Sequence, residues 1–169
     1  MSEDHSCISP KVSGGPTVSE CEQVRDREAV VEVVNRLFIA VDTRDWSLAH
    51  QCLAEEVHFD MTSLGDPGPS LRSAHEITEA WQSGLASLEA VHHQSGNFVV
   101  RVAGDRADCS CYGMAYHFRR VRSGRNTRLF VGSYEYSLSR AGESWRITHF
   151  KFNLKFVDGN LALDREEPA

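Results

Sequence analysis

Two positions far apart in the chain carry the residue types that acid–base chemistry needs. Asp42 stands in Val41-Asp42-Thr43-Arg44-Asp45-Trp46, and His93 stands in Val91-His92-His93-Gln94-Ser95-Gly96-Asn97. A carboxylate that orients an imidazole makes a general base able to work near neutral pH, where an imidazole ordinarily titrates. On the residues alone, the plainer reading of Asp42 is a solvated aspartate at a helix end. His92 adds a second ambiguity, because consecutive strand residues point to opposite faces and only one of the two imidazoles can face inward.

Other residues offer weaker chemistry. The stretch Ala107–Phe118 alternates small residues (Ala107, Cys109, Cys111, Gly113, Ala115) with large ones (Tyr112, Met114, Tyr116, Phe118). One face of such a strand leaves room for a ligand or a close-packed helix, and the other fills space. Tyr112 and Tyr116 could donate hydrogen bonds to a substrate carbonyl, or serve as ordinary core or interface residues. Five arginines between Arg119 and Arg128 could dock a phosphate or a carrier protein, but a solvated hairpin tip is the expected reading. His58, His92, His117 and His149 lack the i, i+4 spacing of a helical metal site, and no C-x-x-C pair accompanies them, so no metal or other cofactor is expected.

The elements that must position Asp42 and His93 follow from periodicity. Val30, Val34, Leu37, Phe38 and Val41 recur at helical spacing and form one apolar stripe, with Asp42 at its edge. Phe38, one turn earlier, would desolvate that aspartate. Asp45 can cap a short helix from Trp46 to about Leu53, and Val57, Phe59 and Met61 alternate as a strand. Gly65-Asp66-Pro67-Gly68-Pro69 interrupts regular structure, after which Ser73 and Glu76 have capping-box spacing ahead of a helix striped by Ile77, Trp81, Leu85 and Leu88. From Ala90 onward the pattern is β, in two hairpins turning at Ala103–Arg106 and Ser139–Glu143. Gly96 is a candidate bulge that would change parity downstream. Helices followed by hairpins predict an α+β fold with helices on one face of an antiparallel sheet.

Composition bounds the function. With 169 residues, 41% apolar and 25% charged, the chain is sized for one domain with a real core. A net charge of −6 opposes nucleic-acid binding. No apolar run reaches the ~18 residues of a membrane span and Met1–His5 is unlike a signal peptide, so the expected location is the cytoplasm. Five cysteines without C-x-x-C spacing are expected as reduced thiols, mostly in the core. Residues 1–22 and 159–169 are expected as loose tails around a domain at 23–158.

Over residues 25–156 this layout resembles the SnoaL-like branch of the nuclear transport factor two-like superfamily, which includes scytalone dehydratase, a bile-acid dehydratase and a hexachlorocyclohexane dehydrochlorinase. The matching features are Asp42 at the end of the first helix with Asp45-Trp46 behind it, His93 four positions before Asn97, Ala103-Gly104-Asp105 as a hairpin turn, Gly132-Ser133-Tyr134, and Trp145-Arg146-Ile147. The resemblance implies a cone-shaped α+β barrel, a curved sheet with three N-terminal helices on its concave face. It also selects His93 over His92 and implies an Asp42–His93 catalytic dyad in a deep pocket. Departures are equally specific: Val41 and Met61 stand where scytalone dehydratase has tyrosines. That enzyme's second histidine falls near Val131, and the dehydrochlorinase's pocket arginine falls at Phe150.

The expected function is therefore cofactor-independent proton transfer on a small, mostly apolar, hydroxylated or carbonyl-bearing ring compound, such as a polyketide or steroid-like metabolite. Dehydration is the first expectation, with isomerisation or cyclisation, or a non-catalytic binding module of the same fold, as alternatives. Phe38, Val41, Met61, Val131 and Phe150, with Tyr112 and Tyr116, are the expected substrate-binding residues. The family resemblance further implies a homo-oligomer, trimeric or dimeric.

Overall fold

The structure is a computed structural model and describes residues 18–169. Helix α1 spans Val18–Thr43, α2 Trp46–Cys52 and α3 Ala74–Gly84. Strands β1 (Leu53–Asp60), β2 (Ser70–Ser73), β3 (Ala90–Ala103), β4 (Arg106–Phe118), β5 (Thr127–Ala141) and β6 (Ser144–Gly159) form one open sheet in the order β2-β1-β6-β5-β4-β3. The helices pack on a single face of this sheet, α1 against β3 and β6 and α3 against β1 and β2.

The apolar stripe of α1 does what its spacing predicts. Val30, Val34, Leu37, Phe38 and Val41 are all buried, in one core with the inward residues of β4, β5 and β6. Asp45 caps α2, its carboxylate accepting from the Leu48 N–H at 2.9 Å. Ser73 and Glu76 form a complete capping box at the start of α3. These caps satisfy backbone donors that a helix leaves open, and so fix where α2 and α3 begin.

The sheet is mixed rather than wholly antiparallel, because β1 runs parallel to β6. That pairing joins segments about ninety residues apart and leaves no local trace in the sequence. β2 is a further addition, a short edge strand inside a stretch read as loop and cap. The bulge suggested by Gly96 exists: the β3–β4 register slips by one between Gly96 and Val99, and Asn97 takes a positive φ of 58°. Asparagine tolerates that backbone better than most side chains.

Both expected tails need correction. Helix α1 begins at Val18, so residues 18–22 belong to it, while 1–17 lie outside the described residues. The closing segment after β6 is docked. Leu163 is fully buried in a small cluster with Leu88, Val91 and Val121, and Pro168 forms a β-bridge with Val121. The arginine-rich turn between β4 and β5 is solvated at its tip, as expected, with Arg120 and Arg122 largely exposed, and it also contacts this segment. Arg119 donates to the Leu163 carbonyl at 3.1 Å, Arg122 pairs with Glu167 at 2.7 Å and Arg125 reaches the Gly159 carbonyl at 3.0 Å. Two of these arginines therefore donate to backbone carbonyls of a segment that arrives from elsewhere, and one pairs with its carboxylate. Leu163→Ala should lower unfolding stability by about 2–4 kcal/mol, as measured by urea denaturation, because it opens a cavity under the docked segment. A loss below about 0.5 kcal/mol would mean that the segment is dispensable to the fold.

Candidate active site

The last turn of α1 is joined to β3 by the carboxylate of Asp42. Its Oδ1 lies 2.6 Å from His93 Nδ1, and its Oδ2 accepts the His93 backbone N–H at 2.7 Å. One residue thus supplies both donors, and both carboxylate oxygens are used. With Nδ1 held as the donor, the lone pair of the neutral ring sits on Nε2. Phe38 stacks on the imidazole at 4.9 Å with an interplanar angle of 12°, which fixes the ring plane. His93 and Asp42 side chains are 13% and 15% exposed, whereas His92 is 72% exposed and its Nδ1 is 3.8 Å from the carboxylate. His93 is therefore the inward imidazole.

His93 opens into an apolar cavity of about 150 Å³. Phe38, Val41, Met61 and Phe150, four of the expected lining residues, bound it, together with Trp81, Phe130, Tyr134 and Phe152. A cavity of this size and character holds about one six-membered ring. The small face of β4 makes the space. Ala115 is paired with His93 and lines the cavity, and Gly113 clears the Tyr134 ring, since a Cβ there would sit 2.2 Å from Tyr134 Cε2. Burial pushes the Tyr134 phenol upward, so it stays protonated, and its oxygen makes no hydrogen bond among the described residues. A larger hollow of about 540 Å³ between α1 and β3 is an open trough, with an Arg36–Glu32 ion pair along its wall.

The remaining expected lining residues lie elsewhere. Tyr112 and Tyr116, 55% and 42% exposed, project from the outer face of the sheet, and Lys155 Nζ sits 3.9 Å from the centre of the Tyr112 ring. Val131 faces the same outer side, beside Tyr112 and Met114. Strand alternation explains all three: in β4 the small residues face in, so the tyrosines between them face out. Among the described residues no group of three or more His, Cys, Asp or Glu side chains could hold a metal, and no helix is long and apolar enough to cross a membrane. Cys52, Cys109 and Cys111 are free and buried, and burial lifts their thiols to about 11, 11 and 12, out of reach of nucleophilic use.

The sequence reading missed His117. It follows Ala115 by two on the inward face of β4, on the strand paired with β3, so it is a diagonal neighbour of His93 at a Cβ separation of about 7–8 Å. The signal was the parity of the small residues, which continues to position 117. Burial and the nearby Arg128 guanidinium lower its pKa from 6.5 to about 4. The folded chain therefore keeps His117 neutral where the unfolded chain's imidazole takes a proton. Its contribution to stability is complete above pH 6.5 and is lost as pH falls toward about 4. The melting-temperature advantage of the wild type over His117→Gln should shrink across that window, and an advantage that stays constant with pH would contradict the assignment.

Residues 22–151 match the SnoaL-like domain family. The Kfla4162 protein of Kribbella flavida superposes with a TM-score of 0.80 at 22% identity, covering 85% of this chain and 99% of that one. A hexachlorocyclohexane dehydrochlorinase, LinA type 2, gives 0.70 at 12% identity, covering 83% and 92%. A Novosphingobium aromaticivorans protein provisionally named scytalone dehydratase gives 0.71 at 10% identity, covering 82% and 89%. At these identities the likeness is one of fold. Among curated proteins no relative matches. With the family matched over most of its length and the three-helix, six-stranded architecture shared, the chain belongs to the SnoaL-like family of the nuclear transport factor two-like superfamily.

Proposed function

We propose that this protein is a cofactor-independent lyase that removes water from a single-ring β-hydroxycarbonyl compound. The observation that carries the reading is the 2.6 Å Asp42–His93 contact at the wall of an apolar cavity. A solvated helix-end aspartate would have no such partner. In the proposed reaction, Nε2 of His93 takes the proton from the carbon beside the carbonyl. Electrons move into the new carbon–carbon double bond as the β-carbon–oxygen bond breaks. The imidazolium then returns the proton to the departing hydroxyl, which leaves as water, so the products are an enone and water with no redox change. Asp42 would hold the tautomer and stabilise the imidazolium.

The apolar wall does two things for this chemistry. It excludes competing water, and it strengthens the electrostatic contact between the developing enolate and any donor beside it. His117, facing the same cavity, is the candidate for that donor. Its neutral state suits the task, because a neutral imidazole donates a hydrogen bond without adding a buried charge. The volume favours a monocyclic substrate over a steroid-sized one.

Turnover of a panel of monocyclic β-hydroxyketones, followed by the absorbance of the conjugated enone, tests the proposal. His93→Ala should lose activity while keeping its melting temperature. Asp42→Asn should fall by about 100-fold or more, the usual loss when acid–base assistance is removed, with the fold intact. His92→Ala, altering a side chain directed to solvent, should stay within a few-fold of wild type. A folded His93→Ala protein with near-wild-type turnover would sink the mechanism.

A further inference from the structure

We infer that Arg128, clamped by Asp164 of the C-terminal segment, is a positioning residue. It locks His117 as an Nε2–H donor, so that the cavity selects an uncharged ring carbonyl at that wall. This rests on the reading of the cavity as a substrate site and adds the group that fixes its second imidazole and the ligand chemistry that follows.

Arg128 opens β5 directly opposite His117 in the β4–β5 register. Its Nη2 lies 3.1 Å from His117 Nδ1. A guanidinium has only donors and keeps its charge at any pH a protein meets, so Nδ1 must be the acceptor and cannot carry the proton. The neutral ring is therefore protonated at Nε2. Nε2 makes no hydrogen bond among the described residues, while the ring lines the cavity. The same guanidinium is gripped by Asp164 through a two-point fork, Nη1 to Oδ2 at 2.6 Å and Nη2 to Oδ1 at 3.0 Å. Leu163, fully buried, and the Arg119 contact to its carbonyl fix where Asp164 stands.

The cost of this arrangement argues that it does more than hold the fold. Arg128 is 13% exposed, and its Nε–H is buried without a partner. The ion pair is only partly buried, Asp164 being 38% exposed, and Arg128 keeps one donor unpaired, so the pair adds little to stability and its use lies in what it presents to His117. That use is to present a fixed donor. A donor-only Nε2–H needs an acceptor from the ligand, and a carboxylate would bring a charge into an apolar cavity whose two imidazoles are already held by Asp42 and by the Asp164-paired Arg128. The charged and titratable groups around His117 are Arg128, His93, Asp164 and Asp42, and of these only Arg128 touches it.

Nitrogen-15 spectra of the imidazole rings, with cyclohexanone and cyclohexanecarboxylate as binding probes, test the inference. In the wild type at pH 7, His117 should carry its proton on Nε2 alone. Cyclohexanone should bind at least tenfold more tightly than cyclohexanecarboxylate. Arg128→Ala should give a mixture of tautomers and weaken cyclohexanone about tenfold, the loss of roughly one hydrogen bond. Arg128→Lys, which keeps a cationic donor, should restore part of both effects, and Asp164→Asn should loosen the tautomer without removing it. A wild-type His117 protonated on Nδ1 or on both nitrogens at pH 7 overturns the inference whether or not any variant folds. So does an Arg128→Ala spectrum and affinity equal to wild type, or equal binding of the two probes. The base reading is decided separately: if His93→Ala stays active while the tautomer behaves as stated, the base is misassigned and the Arg128 lock stands.

Discussion

Asp42 occupies the C-terminal turn of α1, where the helix dipole disfavours negative charge, and the apolar side of the helix, where water is scarce. What makes the position tenable is that β3 brings two donors from a single residue, the backbone N–H and the ring nitrogen of His93. Charge-assisted hydrogen bonds of this kind are worth about 1.5–3 kcal/mol each, more than the ~0.3–1 kcal/mol that the dipole takes away. The contact works in both directions. It fastens the helix end to the sheet edge, and it fixes the face, plane and tautomer of the imidazole. A polar pair between helix and strand thus sets the geometry of a cavity that is otherwise almost wholly apolar.

The cavity exists because β4 is built from small residues on its inward side. Gly113 lets the Tyr134 ring lie across the sheet, and Ala115 leaves space beside His93. Aromatic rings then close the volume in contact with one another: Phe38 against Tyr134, and Phe150 against Phe59, Trp81 and Tyr136. Such walls are stiff, since rings in edge and stacked contact have few alternative rotamers. A stiff wall would hold a ligand ring in one orientation relative to His93, which the proposed abstraction of one particular proton requires.

Much of this was legible in the chain because it is written locally. The stripe on α1, the caps at Asp45 and Ser73, the hairpin turns and the bulge near Gly96 each depend on residues within one or two turns of each other. The inward choice of His93 over His92 was not local and came from resemblance; the Asp42 contact then bears that orientation out. What escaped was long-range or a matter of parity. The parallel β1–β6 pairing and the docking of Leu163 join distant segments, and no periodicity reports them. Tyr112 and Tyr116 have the chemistry of hydrogen-bond donors, but the small residues that alternate with them imply the outward face on which they stand. The same parity, followed two positions past Ala115, leads to His117.

The arginine-rich turn shows how charge in a sequence can mislead about its use. Five arginines close together suggest a surface for an anionic partner, yet each of them contacts this chain's own carboxylates or carbonyls. Four of the five reach into residues 159–167, so the turn and the C-terminal segment form one unit. Arg128 and Asp164 lie at the inner edge of that unit, where it meets the cavity through His117. The state of the second imidazole therefore depends on residues at the far end of the chain, beyond the strands that carry either histidine. Asp42 and Asp164 fill comparable places, one in direct contact with an imidazole and one acting through an arginine. They leave the two rings in opposite electronic roles: His93 with a lone pair toward the cavity, and His117 with a proton toward it. On the proposed reading one wall would accept a proton while the other offers a hydrogen bond, the asymmetry that a proton transfer beside a carbonyl requires.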